Sequence, residues 1–145
     1  LHTPADPAER LRRVNYLGAV HCLQTVGKAM VRRRAGRIVN VTTVAVPLSL
    51  EGEAAYVASN AAVEALTRVA ARELASSGVV VSAVGFGPVD TALTRGVPRA
   101  QLERINARIG LASSPSPEAA ADFLLAHARS ASAGAVEYLG DVPRS

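Results

Sequence analysis

Two short runs constrain this chain more than any other feature: Arg37-Ile38-Val39-Asn40-Val41-Thr42-Thr43 and Val79-Val80-Val81-Ser82-Ala83-Val84. Both are rich in β-branched residues, and neither alternates apolar with polar positions as a strand with one wet face does. Each therefore predicts a strand covered on both faces. Between them a helix rich in small residues is predicted over 53–77, stopped by Gly78. A third run, Ala135-Val136-Glu137-Tyr138-Leu139, follows another helical stretch from Pro117 to about Arg129. Buried strands separated by helices predict parallel β/α units. The expected fold class is α/β, with about three parallel strands and flanking helices.

Ahead of the first strand, a long helix is predicted over 7–34. Asp6-Pro7-Ala8-Glu9 supplies a cap, a first-turn proline and an acid three residues after the cap. Leu11, Val14, Leu17, Cys22, Val26 and Met30 recur at helical spacing, and Gly36 is the expected stop. Pro47 and Gly52 mark a loop, Gly85-Phe86-Gly87-Pro88 a sharp turn, and Thr91 to Ser116 a flexible, partly helical excursion. With 145 residues and no internal repeat, the chain reads as a single domain over 1–145.

Composition removes several function classes. Hydrophobic residues are 49% and charged residues 19%, which excludes a disordered chain. Cys22 is the only cysteine, so an internal disulfide is ruled out and a reducing, cytoplasmic location is expected. No apolar run reaches the ~18–20 residues that span a bilayer, so no membrane partner is expected. The net charge is +4, but the arginines are scattered apart from Arg32-Arg33-Arg34, which closes a helix where cations suit the dipole. Few aromatics are available to stack bases, so no nucleic-acid partner is expected. His2, His21 and His127 lack acidic or cysteine neighbours at ligand spacing; they read as structural, with no metal expected. Leu1-His2-Thr3-Pro4 shows neither an initiator Met nor a secretory layout, and the chain reads as one that begins in mid-domain.

Chemistry concentrates around Tyr56. This phenol sits near the start of the small-residue helix, thirteen residues after Thr43 and forty-one after Asn15. That layout can bring a phenol, a hydroxyl and a carboxamide to one edge of the sheet. A free phenol has a pKa of about 10, and a nearby cation is one way to bring it to working pH. One helical turn beyond Tyr56, however, stands Asn60, which offers hydrogen bonds and no charge.

Five pieces in order, each weak alone, carry a family resemblance: Val14-Asn15, Gly36 to Thr43, Tyr56-Val57-Ala58-Ser59, Ser82 to Thr91 with its Gly85-Phe86-Gly87-Pro88, and Gly134 to Gly140. Together the chain resembles the short-chain dehydrogenase/reductase family over its whole length, in the C-terminal part of that Rossmann-like fold. The resemblance implies that the N-terminal dinucleotide-binding half is absent, including one further strand beside Arg37–Thr43 and the Gly-rich phosphate turn. No Gly-x-x-x-Gly-x-Gly occurs in the 145 residues. It implies hydride transfer between NAD or NADP and a small-molecule carbonyl or alcohol. By position, Tyr56 takes the proton-transfer role, Thr43 the hydroxyl that holds the substrate oxygen, and Asn15 the helix carboxamide behind a water relay. Asn60 takes the ribose contact, while Gly87, Val89 and Thr91 match the segment at the nicotinamide end.

Alternatives stand beside these roles. Tyr56 reads otherwise as a packing residue, Thr43 as a strand former, Asn15 as a backbone hydrogen-bonder, and Asn60 as a neutralised remnant of the family's Lys. Ketoreductase domains of modular polyketide synthases also show Tyr-x-x-x-Asn, but place a Lys where this chain has Asn15. Lys28 lies about 20 Å further along the helix, and Arg12 is the other candidate cation. The stripe Ala54, Ala58, Ala61, Ala62, Ala65 and Val69 either packs on the sheet or, with the helix 7–34, pairs with a second copy. Leu93, Val97, Leu102, Ile105, Ile109 and Leu111 give the expected substrate pocket an apolar face. Two functions remain: a truncated, impaired NAD(P)-dependent carbonyl reductase or alcohol dehydrogenase, or a catalytically inactive interaction module with a free strand edge.

Overall fold

A computed structural model describes residues 4–143; Leu1 to Thr3, with the expectation made of His2, and 144–145 lie outside the described residues. The N-terminal helix runs in three parts: α1 (Ala5–Leu11), a π-helical segment (Arg12–Leu17) and α2 (Gly18–Arg33). β1 (Gly36–Thr43) leads into the single turn α3 (Ala45–Leu48), then α4 (Ala54–Leu74) and β2 (Val79–Phe86). A 3-10 turn (Ala92–Thr94), α5 (Arg99–Arg108), α6 (Pro117–Ser130) and β3 (Val136–Tyr138) complete the chain. No described helix is long and apolar enough to cross a membrane.

The strands form one parallel sheet in the order β1-β2-β3. Gly36 lies opposite Val79 and Thr43 opposite Phe86, while Ala83 faces Val136 and Gly85 faces Tyr138. The central strand carries the core, with Val79, Val81, Ala83 and Val84 at most 2% exposed. Each fully buried valine side chain contributes roughly 1.5–3 kcal/mol, which makes β2 the main apolar anchor. Val79 and Val81 pack with Ala70 and Ala71 of α4 and with Leu23 and Met30 of α2. A second cluster, Val44, Leu48 and Ile109, gathers Ile105, Leu111 and Tyr138.

Several expectations are corrected. Val41 is 55% exposed, so β1 is not covered on both faces as its run implies; among the described residues it pairs with β2 alone, which leaves the expected free strand edge. Asp6 lies inside the first turn rather than capping it, because the helix already begins at Ala5; its charge still suits the positive helix end. Arg34, at φ 53°, ends α2 in the left-handed conformation. Gly36, the expected stop, instead opens β1, where a Cβ would overlap the Met30 side chain. Gly85 and Phe86 continue β2, so the turn starts later than expected. On α4, Ala54, Ala58, Ala65 and Val69 are exposed; the sheet-facing side is Ser59, Asn60, Val63, Glu64, Thr67, Ala70 and Ala71. The alanine stripe therefore does not pack on the sheet.

Candidate active site

Asn15 lies within the π-helical segment, a widened turn of the kind that recurs at functional sites. Its Nδ2 donates to Ser59 Oγ at 3.1 Å, and Ser59 Oγ donates to the Tyr56 carbonyl at 2.9 Å. Asn60 Nδ2 donates to the same carbonyl at 2.9 Å. The first turn of α4 is thus tied to the preceding helix through a side-chain relay. The carboxamide nitrogen of Asn60 is committed to its own helix.

One cleft of ≈ 300 Å³ is lined by Asn15 and Ala19 on one side, Tyr56, Asn60 and Val63 on another, and Asn40, Val41 and Thr42 along the outer edge of β1. Three of the expected residues, Asn15, Tyr56 and Asn60, therefore come together. Thr43 is buried, and its Oγ1 accepts the Ala45 N–H at 3.2 Å while its own proton stays free to donate. The cleft wall is made by Asn40, Val41 and Thr42 and stops short of Thr43, the last residue of β1. Arg12, the candidate replacement cation, is turned outward: its Nε and Nη2 donate to Glu9 at 2.7 and 2.6 Å, so it supplies no charge to the cleft.

Gly87, Val89 and Thr91 stand apart from the cleft wall, on the segment after β2. A Cβ on Gly87 would come within 2.7 Å of Ile109 Cδ1. Thr94 Oγ1 donates to the carbonyls of Val89 and Thr91, both at 3.0 Å, and accepts the Thr91 N–H at 3.4 Å, which folds 89–94 into a closed turn. The expected apolar substrate face is corrected in part. Ile109 is fully buried, with Ile105 and Leu111 packed against the same second cluster, whereas Leu93 is 91% exposed. Burial of Ile109 holds α5 in place, while Ile105 and Leu111 are only partly buried.

Reading the sequence missed a polar seam between α4 and the sheet. Asn40 Nδ2 donates to Thr67 Oγ1 at 2.8 Å, and Thr67 Oγ1 donates to the Val63 carbonyl at 2.8 Å. Buried Glu64 accepts from Thr42 Oγ1 at 3.0 Å and from the Tyr138 hydroxyl at 2.8 Å. Burial first, and then the hydrogen bond and charge of Glu64, push the Tyr138 phenol well above its ordinary value, so it remains a donor. His127, expected to be structural, is buried with Nδ1 2.9 Å from Glu137 Oε2, joining α6 to β3. No group of three His, Cys, Asp or Glu among the described residues could hold a metal ion.

A family model described as short chain dehydrogenase matches residues 2–102. The chain is 42% identical over 80 residues to 3-oxoacyl-acyl-carrier-protein reductase FabG of Staphylococcus epidermidis, covering 55% of this chain and 33% of that protein. It is 39% identical over 89 residues to a short-chain type dehydrogenase/reductase of Picea abies, covering 61% and 33%. The chain spans about a third of the length of these curated relatives. A solved short chain dehydrogenase/reductase family protein superposes with a TM-score of 0.82 at 31% identity, over 97% of this chain and 59% of that one. The 3-hydroxyacyl-CoA dehydrogenase type-2 of Mycobacterium avium, at 24% identity and TM-score 0.82, covering 99% and 59%, shares the fold.

Proposed function

Because this chain belongs to the short-chain dehydrogenase family, we propose that it forms the substrate side of an NAD(P)-dependent carbonyl reductase or alcohol dehydrogenase. The observation that carries the reading is the convergence of Asn15, Tyr56 and Asn60 on one cleft.

The cleft suits the nicotinamide–ribose end of a dinucleotide. Three carboxamides, a phenol and a threonine hydroxyl offer partners for ribose hydroxyls and an amide, and Ala19 and Val63 offer apolar surface to a ring. No Gly-rich phosphate turn lies among the 145 residues, so no residue of this chain is assigned to the pyrophosphate. A bound nicotinamide would supply the hydride.

The remaining steps fall to side chains of this chain. Tyr56 donates its proton to the carbonyl oxygen as negative charge develops there, and accepts one in the oxidation direction. Thr43 would hold the same oxygen by its place in the family motif; in this structure its hydroxyl accepts the Ala45 N–H and stands just beyond the cleft wall. Asn15 holds the first turn of α4 through Ser59 and lines the cleft. By their place in the family motif, the backbone at Gly87 and Val89 and the Thr91 side chain would contact the nicotinamide end, although in this structure they stand apart from the cleft wall. Without a cation at position 60, formation of a phenolate is not assisted. If such a cation is worth two or three pKa units, its loss forfeits roughly 3–4 kcal/mol, on the order of a hundredfold in rate. Turnover is therefore slow. The exposed small residues of α4, with α2, pair with a second copy of the chain.

A 3-oxoacyl thioester is the first substrate class to test, since 3-oxoacyl reductases are among the relatives. In the complete protein, acetoacetyl-CoA or a ketone from a panel should drive oxidation of NADH or NADPH. The second reading, an inactive interaction module, is favoured by one observation: Asn60 donates to the Tyr56 carbonyl and Arg12 pairs with Glu9, so neither position supplies a cation to the phenol. Absence of turnover that Asn60→Lys restores would mark a remnant. Absence in both proteins would defeat the reductase reading.

A further inference from the structure

Glu64 faces the sheet from α4 and is 5% exposed, with two hydroxyl donors on one carboxylate oxygen. Oε1 accepts from Thr42 Oγ1 at 3.0 Å and from the Tyr138 hydroxyl at 2.8 Å, while Arg68 Nη1 stands 3.8 Å from Oε2. The hydroxyl donors arrive by register: Thr42 lies opposite Gly85, and Gly85 opposite Tyr138, a row across all three strands. Gly85 makes the row possible. A Cβ there would overlap the Tyr138 ring and come within 3.2 Å of Thr42 Cγ2. The ring crosses the bare central strand and reaches the carboxylate from the far side of the sheet.

Burying a carboxylate is costly unless it is paired, and an apolar side chain would stabilise this interface as well or better. The arrangement therefore calls for a reason other than stability. Glu64 lies one turn beyond Asn60 and two beyond Tyr56 on α4, and Thr42 is the cleft-wall neighbour of Thr43. The carboxylate thus fastens the strand end that carries the hydroxyl to the helix that carries the phenol.

We propose that Glu64 is a positioning residue of this site, fixing the end of β1 against the Tyr56 helix through Thr42, with Tyr138 as its second anchor. The inference rests on the reductase reading. Glu64 touches no substrate; it acts through geometry, where a displacement of about 1 Å can cost on the order of 10²-fold in rate. Thr42→Val in the complete protein keeps the side-chain shape and removes one donor. It should lower kcat for acetoacetyl-CoA reduction about 10- to 100-fold, with KM changed less than about twofold. Glu64→Leu should lose at least as much, and Glu64→Gln, which keeps an acceptor oxygen for both hydroxyls, should recover most of the loss. The 13Cζ resonance of Tyr56, assigned with Tyr56→Phe, reads the same coupling without turnover: it should move in Thr42→Val and return toward its place in Glu64→Gln. Thr42→Val that keeps wild-type kcat, or leaves the Tyr56 resonance unmoved, overturns the proposal even if Glu64→Leu fails to fold. Absence of turnover in the unsubstituted protein fails the reductase reading instead, and the resonance then decides the role of Glu64.

Discussion

At the scale of single residues, the site is set by what surrounds the first turn of α4. The Tyr56 carbonyl receives both Ser59 and Asn60, so hydrogen bonds hold this turn where a charge would otherwise act on the phenol. Asn60→Lys should raise turnover about tenfold or more in steady-state assays, since a cation at that position favours the charged form of a neighbouring phenol. Tyr138 gives a second, independent prediction. Its phenol is held above the ordinary value of 10.0, so the folded state favours the neutral form. The unfolded chain begins to lose that proton near pH 10; the contribution is therefore complete below that pH and is lost as pH rises beyond it. Urea midpoints compared at pH 8 and above pH 10 should fall more for the unsubstituted protein than for Tyr138→Phe.

At the scale of elements, the sheet and α4 are joined by a polar seam as well as an apolar core. Gly85→Ala should displace the Tyr138 ring and destabilise by about 1–3 kcal/mol, read as a lower urea midpoint with unchanged slope. Strands and helices were legible because their cues are local. Unalternating runs marked β1 and β2, and Gly78 marked the end of the α4 region at φ 70°. The free edge of β1 was legible only through the family resemblance, because strand order is a property of the assembled sheet. Glu64 was not legible: a carboxylate in an alanine-rich helix carries no local cue of burial, and only the register of Thr42, Gly85 and Tyr138 gives it partners. The direction of Arg12 was left open by the sequence, because its short bonds to Glu9, one turn back, decide it. Tyr56, Asn15 and Asn60 were legible through motif order, and their shared cleft follows from the contact of α4 with the π-helical segment.

At the scale of the whole molecule, two surfaces lie open. The outer edge of β1 offers unpaired backbone groups beside an apolar strand, and the exposed stripe of α4 offers Ala58, Ala65 and Val69. Small side chains let helices approach closely, so Ala65→Arg, placed at an exposed position, should leave the fold intact and shift sedimentation of the complete protein toward the monomer. The central claim is that Tyr56 is the proton donor of a reductase whose cleft this chain forms. Its most direct test is the rate of acetoacetyl-CoA-dependent NAD(P)H oxidation by the complete protein, compared with Tyr56→Phe under identical conditions. The account predicts a loss of at least about 10²-fold with unchanged cofactor affinity; equal rates in the two proteins would contradict it.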